Sequence, residues 1–385
     1  LLLHIEKQQI MKKGFLVILS LIFSVQFTWA QTHKEITVLY LLPLHLDETI
    51  PDISTINTDM DIYEIPSFEM IGFWEGAKLA LKTYEDSPYK VNVIVRDVTT
   101  DEAKLKSILN DAALMKDVDL IIGPFYGTLF PIASKYAQEH NITIVNPFST
   151  RTDFVSENPS VYKIVPPLSS RPETLQKKLF TQYSNYQVIL WYDQENITEL
   201  AIYESYFKEN KIPYILSKLQ PETFSLKLEL DPSMQNVIIA LFQNRTNIIN
   251  QMRLFSGIQN QFPCSLVFPE EWLNISSLDD DFYSIPNLFY FTNCFADPQN
   301  LTIIDYKNNY VETYQSPCQL ERYSFQGYDI TKYFIDQYLH GAQDKTNIYT
   351  PMVYKFKFKQ WTKGGFENEK IRLIHIENFE KKEID

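Results

Sequence analysis

The sequence has 385 residues, of which 45% are hydrophobic, which is enough for a packed core and, at this length, for two domains or lobes. Its net charge of −13 argues against nucleic-acid binding, because affinity for phosphates requires clustered Lys and Arg. Only 10 glycines are present and neither GxGxxG nor GxxxxGK(S/T) occurs, which excludes the known glycine-rich phosphate loops.

The N-terminal residues have the pattern of a Sec-type export signal. From Met11, two lysines are followed by an apolar stretch that ends at Ala30, after which cleavage is expected. Residues 1–30 are therefore predicted to be upstream sequence and signal peptide. The apolar stretch is shorter than the roughly 20 residues that a membrane-spanning helix needs, and no later segment is suited to span. We predict a periplasmic protein without stable membrane insertion after cleavage.

The following part of the chain alternates strands and helices. A strand is predicted at Glu35–Leu44, and an acidic loop without a basic residue extends from His45 to Ser67. We interpret this loop as a solvated insertion and not as a cation site, because Asp59 and Asp61 lack the other ligands of a calcium loop. Further elements are predicted as a helix at Phe68–Tyr84, a strand at Val91–Val98 and a helix at Asp101–Met115.

The segment from residue 118 to residue 150 predicts a βαβ unit. Its strands, Val118–Ile122 and Ile142–Val145, are continuous apolar runs, as expected for parallel strands covered on both faces. An amphipathic helix, Thr128–His140, lies between them. Ligands of such sheets lie beyond the carboxyl ends of the strands, which here are Pro124–Thr128 and Pro147–Thr150. The alternation as a whole indicates a doubly wound α/β protein.

The same alternation resumes after an irregular, proline-containing crossing at 151–170. Strands are predicted at Gln187–Tyr192, Tyr214–Lys218, Asn236–Phe242, Ser265–Phe268 and Leu288–Asn293, with helices at Arg171–Ser184, Glu199–Lys211, Thr246–Asn260 and Gly327–His340. The tail alternates apolar and charged residues, which predicts an edge hairpin with strands Val353–Phe358 and Ile371–Ile376.

Cysteine and histidine usage gives no metal or redox motif. The chain has Cys264, Cys294 and Cys318, and an exported protein can form disulfides, so a Cys294–Cys318 pair and three free thiols are both open. No CxxC occurs, and the 6 histidines are scattered without zinc-ligand spacing. No cofactor or metal is expected.

The order of several phrases resembles the type I periplasmic binding proteins, whose familiar members are the branched-chain amino-acid receptors of ABC transporters. The phrases are ITVLYLLPL, FWEGAKLAL, DLIIGPFYG, ITIVNPFST and FQGYDITKYF. The pair LPLHLDE and FWEGAKLAL is similar to exported binding-protein-like domains of Bacteroidetes. The resemblance implies two doubly wound parallel-sheet lobes with a ligand cleft between them. Lobe one would comprise 35–150 plus 299–345, and lobe two 151–298 plus 346–385.

The resemblance also implies ligand-binding residues on lobe one. In amino-acid-binding members, the loop after Gly-Pro supplies hydroxyl and N–H groups to the ligand carboxylate, and here this loop contains Tyr126, Gly127 and Thr128. Thr150 matches the Thr that also holds the carboxylate, and Ser149 lies beside it. Both hydroxyls could instead cap the next turn. The serine-rich run expected in the first loop is not present.

On lobe two, the resemblance implies that Glu270 receives the α-amine of the ligand. Asp193 and Gln243 also follow predicted strands and are candidate ligand contacts. Glu270 could equally be a solvated loop carboxylate. The tyrosines expected on lobe two are replaced by other residues, which weakens the amino-acid signature.

These observations favour binding over catalysis, since no nucleophile elbow GxSxG occurs. The expected function is an exported solute-binding protein that captures a small polar ligand, such as an amino acid, with an ABC permease as one partner. The alternative is a ligand-free interaction module, similar to penicillin-binding-protein activators, that contacts an envelope protein and regulates envelope synthesis. An open, polar cleft would favour the first, and a filled, apolar cleft the second.

Overall fold

The computed structural model describes residues 34–46, 70–220, 223–258, 261–278, 280–283, 285–318, 321–341 and 349–384. The predicted signal peptide lies outside the described residues, as does the acidic loop from residue 47 onward. Among the helices that are described, none has the length and apolar character of a membrane span.

The described strands are distributed along the whole chain. In chain order they are β1 (Glu35–Leu42), β2 (Lys90–Asp97), β3 (Leu120–Ile122), β4 (Thr143–Asn146), β5 (Val161–Lys163), β6 (Tyr186–Tyr192), β7 (Tyr214–Lys218), β8 (Gln235–Leu241), β9 (Cys264–Phe268), β10 (Leu288–Thr292), β11 (Phe358–Gln360), β12 (Phe366–Asn368), β13 (Arg372–Glu377) and β14 (Glu380–Glu383).

Helices connect most of these strands. They are α1 (Ile71–Lys82), α2 (Glu102–Leu109), α3 (Ala112–Met115), α4 (Phe130–Glu139), α5 (Ser170–Lys178), α6 (Ile197–Glu209), α7 (Arg245–Ser256), α8 (Asp280–Tyr283), α9 (Leu301–Tyr314) and α10 (Glu321–His340). Short 3₁₀ helices occur at Phe180–Gln182, Ser225–Glu229 and Glu270–Asn274.

Two sheets form two lobes, which confirms the predicted α/β class. The first sheet has the order β11-β12-β5-β4-β3-β1-β2, and the second has the order β14-β13-β10-β9-β8-β6-β7. Neighbouring strands pair in parallel except at β11–β12, β10–β13 and β13–β14. Both sheets are therefore mainly parallel, with antiparallel strands that come from the C-terminal part of the chain.

Each sheet is buried on both faces, as the apolar strands predicted. In β1, Val38 and Tyr40 pack into one core together with α1, α9 and α10. The alternate residues Leu39 and Leu41 pack into a second core with α2 and α4. The second lobe repeats the arrangement, with α7 on one face of its sheet and α5 and α6 on the other. Covered faces on both sides explain the continuous apolar strands.

The sheets divide the chain differently from the predicted lobe boundaries. The strand β5 lies after residue 151 but pairs with β4 in the first sheet. The tail is shared, because β11 and β12 extend the first sheet and β13 and β14 extend the second. The predicted hairpin between 353–358 and 371–376 is wrong, since β11 pairs with β12 and β13 with β10 and β14. The chain thus passes between lobes at 164–169, 293–300 and 369–371.

The alternation of apolar and charged residues in the tail, which suggested one hairpin, has another cause. Tyr354, Phe356 and Phe358 are buried in the core of lobe one, while the lysines between them point away from it. A period of two shows that a segment is extended, but it does not show which strand lies beside it.

The structure also decides between a Cys294–Cys318 disulfide and three free thiols, because Cys264, Cys294 and Cys318 are all free thiols.

The helices α1 and α10 touch through their backbones at two glycines. A Cβ atom added at Gly76 would overlap the carbonyl of Ser324, and one added at Gly327 would overlap the carbonyl of Phe73. Only residues without a side chain allow this separation. The pair therefore sets the position of α10 on the first lobe.

We predict that Gly327→Ala lowers the free energy of unfolding by about 1–3 kcal/mol, because the added methyl group forces two packed backbones apart. Chemical denaturation of the two proteins measures the difference. Gly257→Ala is the matched control, since the nearest atom to its added Cβ, the carbonyl oxygen of Leu254, is 3.5 Å away. Equal destabilisation by both substitutions would contradict the close-contact explanation.

A buried carboxylate fastens the segment 349–357 to α10. Asp329 is fully buried, and its Oδ2 accepts hydrogen bonds from the backbone N–H groups of Val353 at 2.7 Å and Tyr354 at 2.9 Å. Tyr354 in turn bridges to Cys294 in the second crossing. Burial raises the pKa of Asp329 to about 7, although the two N–H donors and the charge of Arg372 oppose this.

This pKa predicts a pH-dependent stability. The pKa of Asp329 is higher in the folded protein than in the unfolded chain. Its stabilising contribution to the free energy of unfolding is therefore fully present below about pH 4 and is lost as the pH rises through about 7. Asp329→Asn cannot ionise, so its stability relative to the parent protein should rise by about 1–3 kcal/mol between pH 5 and pH 8. Denaturation curves at matched pH test this, with the exposed Asp305→Asn as control. A difference that does not change with pH would contradict it.

Candidate functional site

A cleft of about 420 Å³ lies between the lobes, at the carboxyl ends of the parallel strands. Residues of the first lobe, of the second lobe and of the crossings line it. From the first lobe these are Pro43, Met70, Phe125, Tyr126, Phe148, Thr150, Arg322, Tyr323 and Gln326. From the second lobe and the crossings they are Val165, Pro166, Leu168, Arg171, Glu270, Glu271, Phe291, Thr292, Asn293 and Ile371.

The wall on the first lobe is largely aromatic. The rings of Phe125 and Phe148 meet edge to face with centroids 4.9 Å apart, and Phe148 meets Tyr323 in the same way at 5.8 Å. Phe73 packs beneath them at 4.9 Å from Phe125. Tyr126 contacts His45 through its hydroxyl, 3.1 Å from Nε2. These rings support one another and form a firm apolar surface.

The wall on the second lobe carries a guanidinium group. Arg171, in the first turn of α5, pairs with Glu199 of α6 at 2.5 Å. Its guanidinium lies over the ring of Phe291, 5.7 Å from the centroid. The Nε atom is buried and donates no hydrogen bond within the described part of the chain. A buried donor without a partner is costly, and because Nε is buried it does not itself face the cleft.

An ion pair joins the two lobes across the cleft. Glu270 follows β9 on the second lobe, and its Oε2 lies 3.4 Å from Nη2 of Arg322 in the first turn of α10. The other oxygen, Oε1, accepts a hydrogen bond of 2.9 Å from the hydroxyl of Thr292. Burial raises the pKa of Glu270, while the charge of Arg322 and the Thr292 hydroxyl oppose that rise. Both oxygens of Glu270 therefore have partners inside the protein.

Of the residues expected at the site, Tyr126, Thr150 and Glu270 line the cleft. Ser149 lies beside Thr150, but its hydroxyl accepts a hydrogen bond of 3.2 Å from the backbone N–H of Arg151. It serves the local turn, which is the alternative that the sequence left open for this pair.

The other expected residues lie outside the lining. Gly127 and Thr128 are in the loop before α4, and Thr128 is exposed. Asp193 accepts hydrogen bonds of 3.0 Å and 3.1 Å from the backbone N–H groups of Glu195 and Asn196, just before α6. Gln243 is exposed after β8. Neither Asp193 nor Gln243 is among the residues that line the cleft.

The sequence did not indicate three polar residues that the structure brings to the cleft: Arg171, Arg322 and Gln326. Gln326 is 2% exposed, and its Oε1 accepts no hydrogen bond from the described residues. Arg322 and Gln326 are four positions apart on α10, so they share one face of the helix. This spacing was visible in the sequence, but it has no meaning until the helix is placed against the cleft.

The described residues of the cleft do not form a metal centre. Within the described ranges, no group of three His, Cys, Asp or Glu side chains converges in a way that could hold a metal ion. The charged groups of the lining are two arginines and two glutamates, which suits recognition of a polar organic molecule.

The two lobes and the cleft at the strand ends define the type I periplasmic binding-protein fold. A putative branched-chain amino acid ABC transporter from Rhodospirillum rubrum matches 91% of this chain and 100% of its own, with 11% identity and a TM-score of 0.67. An ABC transporter substrate-binding protein from Desulfitobacterium hafniense, in complex with Leu, matches 91% and 100%, with 13% identity and a TM-score of 0.57.

A third similar structure is the C-domain of LpoA from Haemophilus influenzae, a regulator of PBP1A. It matches 91% of this chain and 100% of its own, with 11% identity and a TM-score of 0.58. No protein-family model matches the sequence, and no curated protein matches it. At these identities, the similarities establish the fold alone.

Proposed function

We propose that this protein is an exported solute-binding protein that captures a small polar ligand between its two lobes. The observation that carries the proposal is the cleft of about 420 Å³, which has a volume typical of small-molecule sites. Its lining brings together polar and charged side chains of both lobes, among them Thr150, Arg171 and Arg322. Such groups can hydrogen-bond to a polar ligand and fix its orientation.

Binding agrees better with the lining than catalysis does. Among the described residues of the lining there is no Ser, Cys, His or Lys, the side chains that most often act as nucleophile or general base. Of the similar structures, one is named as a putative ABC transporter and another as the substrate-binding protein of an ABC transporter. Capture without chemical change is the simpler use of such a cleft.

Capture would link the lobes. The first lobe presents Thr150 and Gln326, and the second presents Arg171 and Glu271. A ligand that contacts both sides favours the closed arrangement over any open one, by the difference between its affinities for the two. In the cell, the expected export signal would place this event in the periplasm, and an ABC permease would receive the solute.

A second candidate is an interaction module that regulates envelope synthesis without a solute. The similarity to the LpoA C-domain favours it, since that domain has the same fold and is named as a regulator of PBP1A. In this case the Glu270–Arg322 pair would hold the lobes together without ligand.

A thermal-shift screen of the chain from Gln31 onward tests the proposal. Amino acids, carboxylic acids, short peptides, sugars and muropeptides form the panel. A ligand at 100 times its dissociation constant should stabilise the folded protein by about 2.7 kcal/mol and raise Tm. Thr150→Ala should make the binding free energy of that ligand less favourable by about 1–3 kcal/mol, because the substitution removes a hydroxyl from the lining.

Gln243→Ala is the control for Thr150→Ala. Both side chains are exposed and both follow a strand, but only Thr150 lines the cleft. The control should bind as the parent protein does. A well-folded protein whose Tm no compound of the panel changes would contradict solute capture and favour the interaction module.

A further inference from the structure

The family resemblance implies that Glu270 receives the ammonium group of an amino-acid ligand, and in this protein a cation already pairs with one of its oxygens. Nη2 of Arg322 lies 3.4 Å from Oε2, and the Thr292 hydroxyl is 2.9 Å from Oε1. The charge of Arg171 also acts on Glu270. An arriving ammonium would compete with Arg322 for Oε2 and would lie near two guanidinium groups, and like charges at short range are unfavourable.

The same two arginines offer N–H donors to a ligand. They stand on opposite lobes, with Arg171 on α5 and Arg322 on α10. Both side chains line the cleft, and about half of the Arg322 side chain, 51%, is exposed. Guanidinium groups match the planar geometry of carboxylates and bind them in preference to neutral groups.

The rest of the lining is suited to an apolar body. Phe125, Phe148 and Tyr323 form the aromatic wall on one lobe, and Phe291 faces the cleft from the other. Buried apolar surface of this kind stabilises an alkyl or aryl group by about 25 cal/mol per Å². The described aromatic wall carries no charged group, and Glu271, the other carboxylate of the lining, lies on the opposite lobe.

We propose that the cleft binds a monocarboxylate that has an alkyl or aryl body and no α-ammonium group, and that Arg322 determines this specificity by pairing with Glu270. The proposal rests on solute capture as the proposed function. It assigns the ligand carboxylate to the two arginines, the body to the aromatic wall, and to Glu270 the task of orienting Arg322. An α-amino acid of the same shape should bind more weakly.

Matched ligand pairs test the specificity. Titration calorimetry of the chain from Gln31 onward would compare 3-phenylpropanoate with L-phenylalanine, and 4-methylpentanoate with L-leucine. Within each pair only the ammonium group differs. In at least one pair, the acid should bind at least about tenfold more tightly than the amino acid. This difference corresponds to one charge-assisted contact.

Arg322→Gln tests the role of the arginine. The substitution should lower the affinity for the acid by about tenfold or more. It should also reduce or reverse the preference for the acid over the amino acid, because Glu270 is then free to accept an ammonium group. A structural role alone would weaken both ligands equally. Lys307→Gln is the matched control, since Lys307 pairs with Glu321 at 2.7 Å beside Arg322 and is outside the cleft lining. It should change neither affinity.

The outcomes separate this inference from the proposed function. Equal or tighter binding of the amino acids overturns the inference and leaves solute capture intact. The same holds if none of the four probes binds while a compound of the thermal-shift panel other than a monocarboxylate does; a different monocarboxylate as the hit supports the inference. If no compound binds at all, solute capture and the inference both fall. Unliganded Tm values of both variants near that of the parent protein show that they are folded.

Discussion

The backbone contact between α1 and α10 is the constraint on which the site depends. Gly76 and Gly327 let the two helices approach until neither can carry a side chain at the contact. Because α10 is held there, its first turns project Arg322, Tyr323 and Gln326 into the cleft. The strand ends supply the other groups. The lining of the cleft is thus positioned by a contact between two helix backbones that lies outside it.

Charge in the cleft is balanced across the lobes. Arg171 is held by Glu199 on its own lobe, while Arg322 reaches Glu270 on the other. Taking such groups out of water is costly unless each finds a partner, so the arginines and glutamates hold one another in place. The charged side chains of the cleft are therefore held in fixed orientations by one another.

A large part of the fold was predictable, and a smaller part of the site. Continuous apolar strands separated by amphipathic helices specify parallel sheets covered on both faces, and β1 shows this with alternate residues in two cores. Tyr126, Thr150 and Glu270 reach the cleft because they follow strands whose ends face it. Asp193 and Gln243 also follow strands, but the sequence does not show where in the sheet those strands lie.

The sequence by itself determined the class of fold, the alternation of elements and the places where ligand-binding loops could form, because these depend on local periodicity and on turn residues. The tertiary structure decided how the tail is shared between the sheets, that the three cysteines are free, and that Arg171 and Arg322 lie at the cleft. These depend on which distant segments become neighbours. Residues about 150 positions apart in the sequence, such as Arg171 and Arg322, carry no local signal of their meeting, since only the packing of whole helices and sheets brings them together.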